Sequence, residues 1–202
     1  MKLEKLGAVI SVVAMAASVF TAFPSSALTP MISKSGFKVS ATSGSEEGIA
    51  KLIDGDYGNY WHSSYEAENG TITKQDMPPY KITVDMGKAT VISGFVYTPR
   101  QDGSFIGIVK GYKIYAEKPG TDKLDMIYSG QMPGNASTVT VEFGFNVKTD
   151  KIVFEITESV ANFGSCAELD FLGEVKTLET KELTGTGASL ADVSSGKSES
   201  KT

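Results

Sequence analysis

Cysteine is almost absent from this chain. Cys166 is the single one among 202 residues, so no internal disulfide can form. Histidine and tryptophan are as scarce, one of each, and they are neighbours, Trp61 and His62. Basic residues are in deficit, 19 Lys and Arg against 24 Asp and Glu, for a net charge of -5. The lysines are scattered and form no basic stripe, which argues against nucleic acid and against an anionic membrane surface. Long apolar runs are missing with one exception, residues 6–23. Lys2 and Lys5 precede that run and the small residues Ser25-Ser26-Ala27 follow it, the pattern of a secretory signal peptide over residues 1–27 with Leu28 as the first mature residue. A retained transmembrane anchor is the competing reading, although the run is near the lower length limit for a span. No cysteine follows the cleavage site to carry a lipid. Catalytic signatures are missing too: no Gly-rich phosphate loop, HExxH or GxSxG occurs. Cys166 and His62 make a Cys–His pair only on paper. Asp54 and Asp56 lie too close on one loop to serve as glycosidase carboxylates and are better placed to share a cation. A non-catalytic protein is expected.

What remains reads as strands. Lys81-Ile82-Thr83-Val84-Asp85-Met86 alternates with period two, and residues 112–116, 151–157 and 167–175 alternate likewise. Residues 90–97 and 137–143 are rich in β-branched side chains. Gly, Pro, Asn and Asp punctuate the gaps, as in Met86-Gly87-Lys88, Pro119-Gly120-Thr121-Asp122 and Pro133-Gly134-Asn135. Short strands at this spacing predict an all-β sandwich. Residues 47–53 alone suit a short helix. Residues 28–36 read as a mature N-terminal lead and residues 37–176 as the folded domain. From Thr177 to Thr202 the chain is Ser, Thr, Gly, Lys and Glu with few apolar residues, the composition of a flexible tail or linker.

Two clusters carry chemistry. In Asp54-Gly55-Asp56-Tyr57-Gly58-Asn59, Asp54, Asp56 and Asn59 offer hard oxygens to a cation such as Ca²⁺, while a plain surface turn with Asx bonds accounts for the same residues. The second cluster is aromatic and polar. Sugar binding needs an aromatic face and convergent hydrogen-bonding groups. Tyr65 and Phe163 can supply platforms, and His62, Arg100 and the pair Glu46-Glu47 the polar contacts, all on segments that read as loops. Each has a structural alternative: Trp61 in the core, His62 as a structural group, Arg100 paired with Asp102 or Asp85, Phe163 packed inward.

Asp54 to His62, taken with Tyr97-Thr98-Pro99-Arg100-Gln101-Asp102 and Ala167-Glu168-Leu169, resembles the discoidin-type (coagulation factor 5/8 type C) domain, whose bacterial branch is carbohydrate-binding module family 32. The resemblance covers roughly residues 37–175. It implies a jelly-roll β-sandwich. It also implies a structural Ca²⁺ held by the carbonyls of Lys51 and Ala167 and by Asp54, Asp56, Asn59 and Glu168; the family usually has Thr where Asn59 stands. For the sugar it implies His62, Tyr65, Arg100, Phe163 and Glu46 or Glu47 as contacts for galactose or N-acetylgalactosamine. The family's Asn before the Gly of the Arg100 loop is absent, since Ile106 precedes Gly107. The expected role is a secreted bacterial glycan-binding module tethered to a glycoside hydrolase or another surface protein. A protein- or cell-surface adhesion module, with Phe105 and Ile106 as an apolar loop tip, is the alternative.

Overall fold

The computed structural model describes residues 29–186. The signal peptide expected over residues 1–27 and the chain beyond residue 186 lie outside the described residues. The elements run β1 (Lys38–Ala41), α1 (Glu46–Ala50), a 3-10 turn (Lys51–Ile53), β2 (Trp61–His62), β3 (Tyr65–Glu68), β4 (Thr71–Gln75), β5 (Tyr80–Thr98), β6 (Val109–Glu117), β7 (Leu124–Gln131), β8 (Val139–Ser159), β9 (Ser165–Cys166), β10 (Glu168–Leu172) and β11 (Thr180–Lys181).

Two long strands organise the sandwich. β5 and β8 are antiparallel partners from Tyr80↔Ile156 to Tyr97↔Val139, and their register shifts between Asp85 and Thr90 and again between Ile92 and Gly94. Such bulges bend a ribbon and raise its twist, so each strand contributes one half to each layer. The first half of β5 pairs with β1, and the second half of β8 with β6, which continues to β7. The second half of β5 pairs with β10, and the first half of β8 with β11. Alternation explains the inner face: Tyr80, Ile82, Val84 and Met86 are buried while Lys81, Thr83 and Asp85 between them are not fully so. Phe95, Tyr112 and Phe154 from both layers meet edge-on or stacked at centroid separations of 5.3 to 5.8 Å. The expected all-β jelly-roll sandwich is the observed architecture, and the single short helix sits where it was expected.

The last stretch departs from expectation. Residues 177–186 were read as the start of a flexible tail, yet they are docked. The Asn146 side-chain amide donates to the carbonyls of Val175 and Leu178 and accepts from the Val175 N–H, which turns the chain back on itself. β11 then lies parallel to β8, Leu183 is buried at 5% exposure, and the Asp125 carboxylate accepts the N–H groups of Thr184, Gly185 and Thr186. One apolar residue and one carboxylate receiving three backbone donors do what composition alone gives no sign of.

The loops that follow β5 and β8, together with β2, gather at one end of the sandwich, where Val109 pairs with Ser159. β2 is tied there to β9 through Trp61↔Cys166 and His62↔Ser165.

Candidate functional site

Trp61 sets the position of the site. Its side chain is fully buried, it donates from Nε1 to the Ser43 carbonyl at 2.9 Å, and it meets Tyr80 edge-on. That anchor turns the next residue, His62, outward on the short β2 strand. His62 Nδ1 lies 2.8 Å from the Ser63 carbonyl oxygen. A carbonyl can only accept, so Nδ1 carries the proton and Nε2 is left as an acceptor. Burial lowers the His62 pKa from 6.5, and the nearby Arg100 charge lowers it further, although the Ser63 bond pulls the other way. The ring is therefore neutral at pH 7.

Arg100 follows β5 and is only 8% exposed. Its Nε donates to Asp102 Oδ1 at 2.8 Å, Nη2 to Asp102 Oδ2 at 2.5 Å and to the Tyr60 hydroxyl at 2.6 Å, and Nη1 to the Ile106 carbonyl at 3.2 Å. The guanidinium also lies over the Tyr60 ring, 4.3 Å from its centroid. Of its five N–H donors, these bonds use four and leave one on Nη1 for a ligand. The bond from Arg100 holds the Asp102 carboxyl well below the usual carboxylate range. Of the two pairings open in the sequence, Asp102 is the one formed. Where the resemblance led us to look for an asparagine, the loop presents backbone instead: the Ile106 carbonyl accepts from Arg100 and from Ser165 Oγ. Gly107 makes this approach feasible, because its φ is +86° and a Cβ there would lie 2.8 Å from Ser165 Oγ.

The two expected platforms meet each other edge to face, with their rings at 80°. Phe163, Tyr65 and His62 form a mutual cluster with centroids 5.2 to 5.7 Å apart. Phe163 is only 4% exposed and Tyr65 54%. Phe163 thus packs inward beneath the other two rings and Tyr65 presents the open aromatic surface. Phe163 is aimed by the two residues before it, Ala161 and Asn162, both at φ 58°, with the Asn162 carbonyl accepting from the Tyr80 hydroxyl at 2.7 Å. Tyr65 starts the β3–β4 hairpin. Glu46 and Glu47 begin α1, which packs against β2. Glu47 is exposed with no contact to His62 or Arg100 recorded, and the Glu46 side chain lies outside the described residues. Cys166 is buried, that burial pushes its thiol well up, and its strand partner is Trp61 rather than His62.

The acidic loop lies beside this cluster. Asp54 Oδ1 accepts the Asp56 N–H and Asp56 Oδ1 the Gly58 N–H, both at 2.8 Å, the Asx bonds of the plain-turn reading. The Asn59 amide donates to Asp54 Oδ2 at 3.0 Å and to Asp56 Oδ2 at 3.1 Å, and its own Oδ1 is buried with no partner. Burial would raise the Asp54 carboxyl, but the bonds from Asp56 and Asn59 hold it below its usual value. Glu168 at the head of β10 is fully buried and accepts the Gly55 N–H at 2.5 Å, so the two halves of the expected calcium set do meet. These oxygens are of the kind calcium takes, but their placement serves hydrogen bonds: the Asn59 amide turns its N–H groups, not its oxygen, to Asp54 and Asp56, and among the described residues no three His, Cys, Asp or Glu side chains gather as a metal site. Lys51 and Ala167, the expected carbonyl donors, flank the loop and Glu168 respectively. Sequence reasoning missed Lys34, whose ammonium bonds Glu168 and reaches Asp170 Oδ1 at 2.7 Å, and it missed Tyr60 beneath Arg100.

The sequence pattern of the F5/8 type C domain matches residues 36–169. The chain belongs to this family. Among solved structures, it is similar to the family 32 carbohydrate-binding module of Clostridium perfringens NanJ in complex with galactose, at 30% identity and TM-score 0.60, covering 70% of this chain and 96% of that one. It is also similar to CpGH89CBM32-5 of Clostridium perfringens, solved with GalNAc-beta-1,3-galactose, at 27% identity and TM-score 0.62, covering 71% and 100%. A curated relative is the A type blood N-acetyl-alpha-D-galactosamine deacetylase of Flavonifractor plautii, 32% identical over 145 residues, 69% of this chain and 18% of that protein. Galactose oxidase of Gibberella zeae is 33% identical over 99 residues, 49% of this chain and 14% of that protein. The chain thus spans under a fifth of the length of these curated relatives.

Proposed function

We propose that this F5/8 type C domain binds glycans ending in galactose or N-acetylgalactosamine and does not transform them. The observation that carries the reading is the convergence, at one end of the sandwich, of one acceptor, one donor and one open ring. His62 Nε2 accepts a hydroxyl proton, the remaining Arg100 Nη1–H donates to a hydroxyl oxygen, and Tyr65 takes the C–H face of the sugar. An axial hydroxyl standing off the ring reaches both polar groups at once, which favours galactose-type over glucose-type sugars. The ligands present in the two similar modules support the same choice.

Single modules of this size bind weakly and gain through multivalency or tethering. A targeting role beside a catalytic partner is supported by the small share of the curated deacetylase and oxidase that the chain spans, and a glycoside hydrolase as that partner by the similar module from a family 31 glycoside hydrolase of Clostridium perfringens. The signal peptide expected over residues 1–27, the lack of cysteine pairs and the resemblance to the bacterial branch of the family together support a secreted or surface protein of a bacterium.

The test is a glycan array followed by calorimetric titration of the purified protein with galactose, N-acetylgalactosamine and glucose. The reading expects terminal galactose-type hits, competition by free galactose, and loss of binding in both His62→Ala and Arg100→Ala. Preference for glucose, or titrations unchanged by either substitution, would refute it. A blank array together with saturable binding to a protein that galactose cannot displace favours the adhesion reading, for which the exposed Phe105 and Ile106 beside Arg100 are the motivating observation.

A further inference from the structure

The lead before β1 is held against β10. The Ile32 N–H donates to the Phe171 carbonyl at 2.9 Å, and Met31 bridges Leu172. This run places Lys34 over the first residues of β10. Its ammonium bonds Glu168 Oε2 and lies 2.7 Å from Asp170 Oδ1, with the side chain 13% exposed and the Glu168 side chain at 0%. A carboxylate so buried is costly unless a cation or several donors compensate it. Glu168 has both: the Gly55 N–H on Oε1 and Lys34 on Oε2. At Asp54 and Asp56 the Asn59 amide supplies the donors, where a threonine has one hydroxyl to give.

The chain thus meets the demand of these four carboxylates from its own side chains and backbone N–H groups. An ion bound through Glu168 Oε2 would meet the Lys34 ammonium at the same oxygen, and two cations at hydrogen-bonding distance repel strongly. We propose that Lys34 is the resident cation of the Glu168–Asp170 carboxylate pair, and that it makes calcium dispensable to the fold of this domain. Calcium enters the loop only when the ammonium is withdrawn. Asn59, with its buried free oxygen, is then the residue that completes the coordination after its amide turns over.

The experiment is thermal unfolding of the purified protein and of Lys34→Gln and Lys34→Arg, each in EDTA and in excess calcium, with calorimetric calcium titration alongside. The natural protein and Lys34→Arg are expected to melt at the same temperature in both buffers and to release no heat on titration. Lys34→Gln is expected to melt lower in EDTA and to regain about 5–10 °C at saturating calcium, the linkage expected at a hundredfold excess over Kd for a chain of this length. Chelator-sensitive melting of the natural protein would overturn the proposal, as would Lys34→Gln indifferent to calcium. So would a Lys34→Gln chain folded in neither buffer, because calcium would then be unable to take the place of the ammonium.

Discussion

Gly44→Ala is expected to damage the protein well beyond what an exposed-turn substitution does. Gly44 has φ +94°, and a Cβ there would lie 2.3 Å from Trp61 Nε1 and 2.8 Å from the His62 carbonyl oxygen. Three costs combine. The left-handed backbone costs an L-residue about 1–2 kcal/mol. Overpacking against a fully buried indole costs about 1–3 kcal/mol. Displacing the indole strains its bond to the Ser43 carbonyl, and a buried N–H left without a partner costs about 1–3 kcal/mol. The costs share one relaxation, so the sum is about 3–5 kcal/mol, or roughly 6–20 °C in melting temperature for a chain of this size. Gly120 is the internal control: its φ is +78°, yet nothing lies within 4 Å of its would-be Cβ, so Gly120→Ala carries the backbone cost alone. Denaturant unfolding of both variants with unchanged m-values is the assay. Equal losses at the two positions would refute the reasoning, because they would mean that the contact with Trp61 contributes nothing. Galactose binding should fall with Gly44→Ala and stay unchanged with Gly120→Ala, since His62 is placed by Trp61.

Binding should also depend on pH through His62. Its pKa is lowered from 6.5 in the folded protein, so the unfolded chain takes up the proton first and native stability from this group is lost as pH falls below about 6.5. Protonation removes the Nε2 acceptor and adds charge beside Arg100, so affinity for galactose should drop about five- to tenfold once the folded ring titrates, a change of about 1 kcal/mol; an NMR titration that places the ring's protonation outside the pH range of the drop would exclude this origin. Tyr60→Phe removes the hydroxyl that fixes Arg100 Nη2 at 2.6 Å and should weaken galactose binding by about fivefold with little change in melting, from about 1 kcal/mol for the bond; calorimetry on the variant checks it. A chain ending at Lys176 loses β11, the buried Leu183 and the three bonds to Asp125, and should be less stable by about 2–5 kcal/mol in urea. Unfolding midpoints that match the longer chain would show the docked segment to be idle.

The sandwich was legible where one face is buried and the other is not, as from Lys81 to Met86, because period-two alternation reports that asymmetry directly. The β3–β4 hairpin was not. Its residues Thr71-Ile72-Thr73-Lys74 are exposed on both faces and leave no alternation to read. Trp61, His62 and Arg100 were legible as residue types, although Trp61 and His62 lie on the short strand β2 and only Arg100 on a loop. Their roles were not. The inward packing of Phe163 depends on the left-handed pair Ala161 and Asn162, which no propensity suggests. The role of Lys34 depends on a contact 134 residues away along the chain. A lone lysine in a polar lead carries no trace of the carboxylates it will meet.

The docking of residues 184–186 onto Asp125 fixes a direction as well as a stability. Asp125 pairs with Ala116 near the far end of β6, while Val109 at the other end borders the His62 and Arg100 loops. Seven steps of extended strand separate them, about 23 Å. Thr186, the last described residue, therefore lies at the pole opposite the His62 and Arg100 loops. A body attached there would sit behind the domain, leaving the loops facing outward and unshadowed, so that a bound surface and an attached partner would lie on opposite sides, with the domain as a spacer about one strand thick in between.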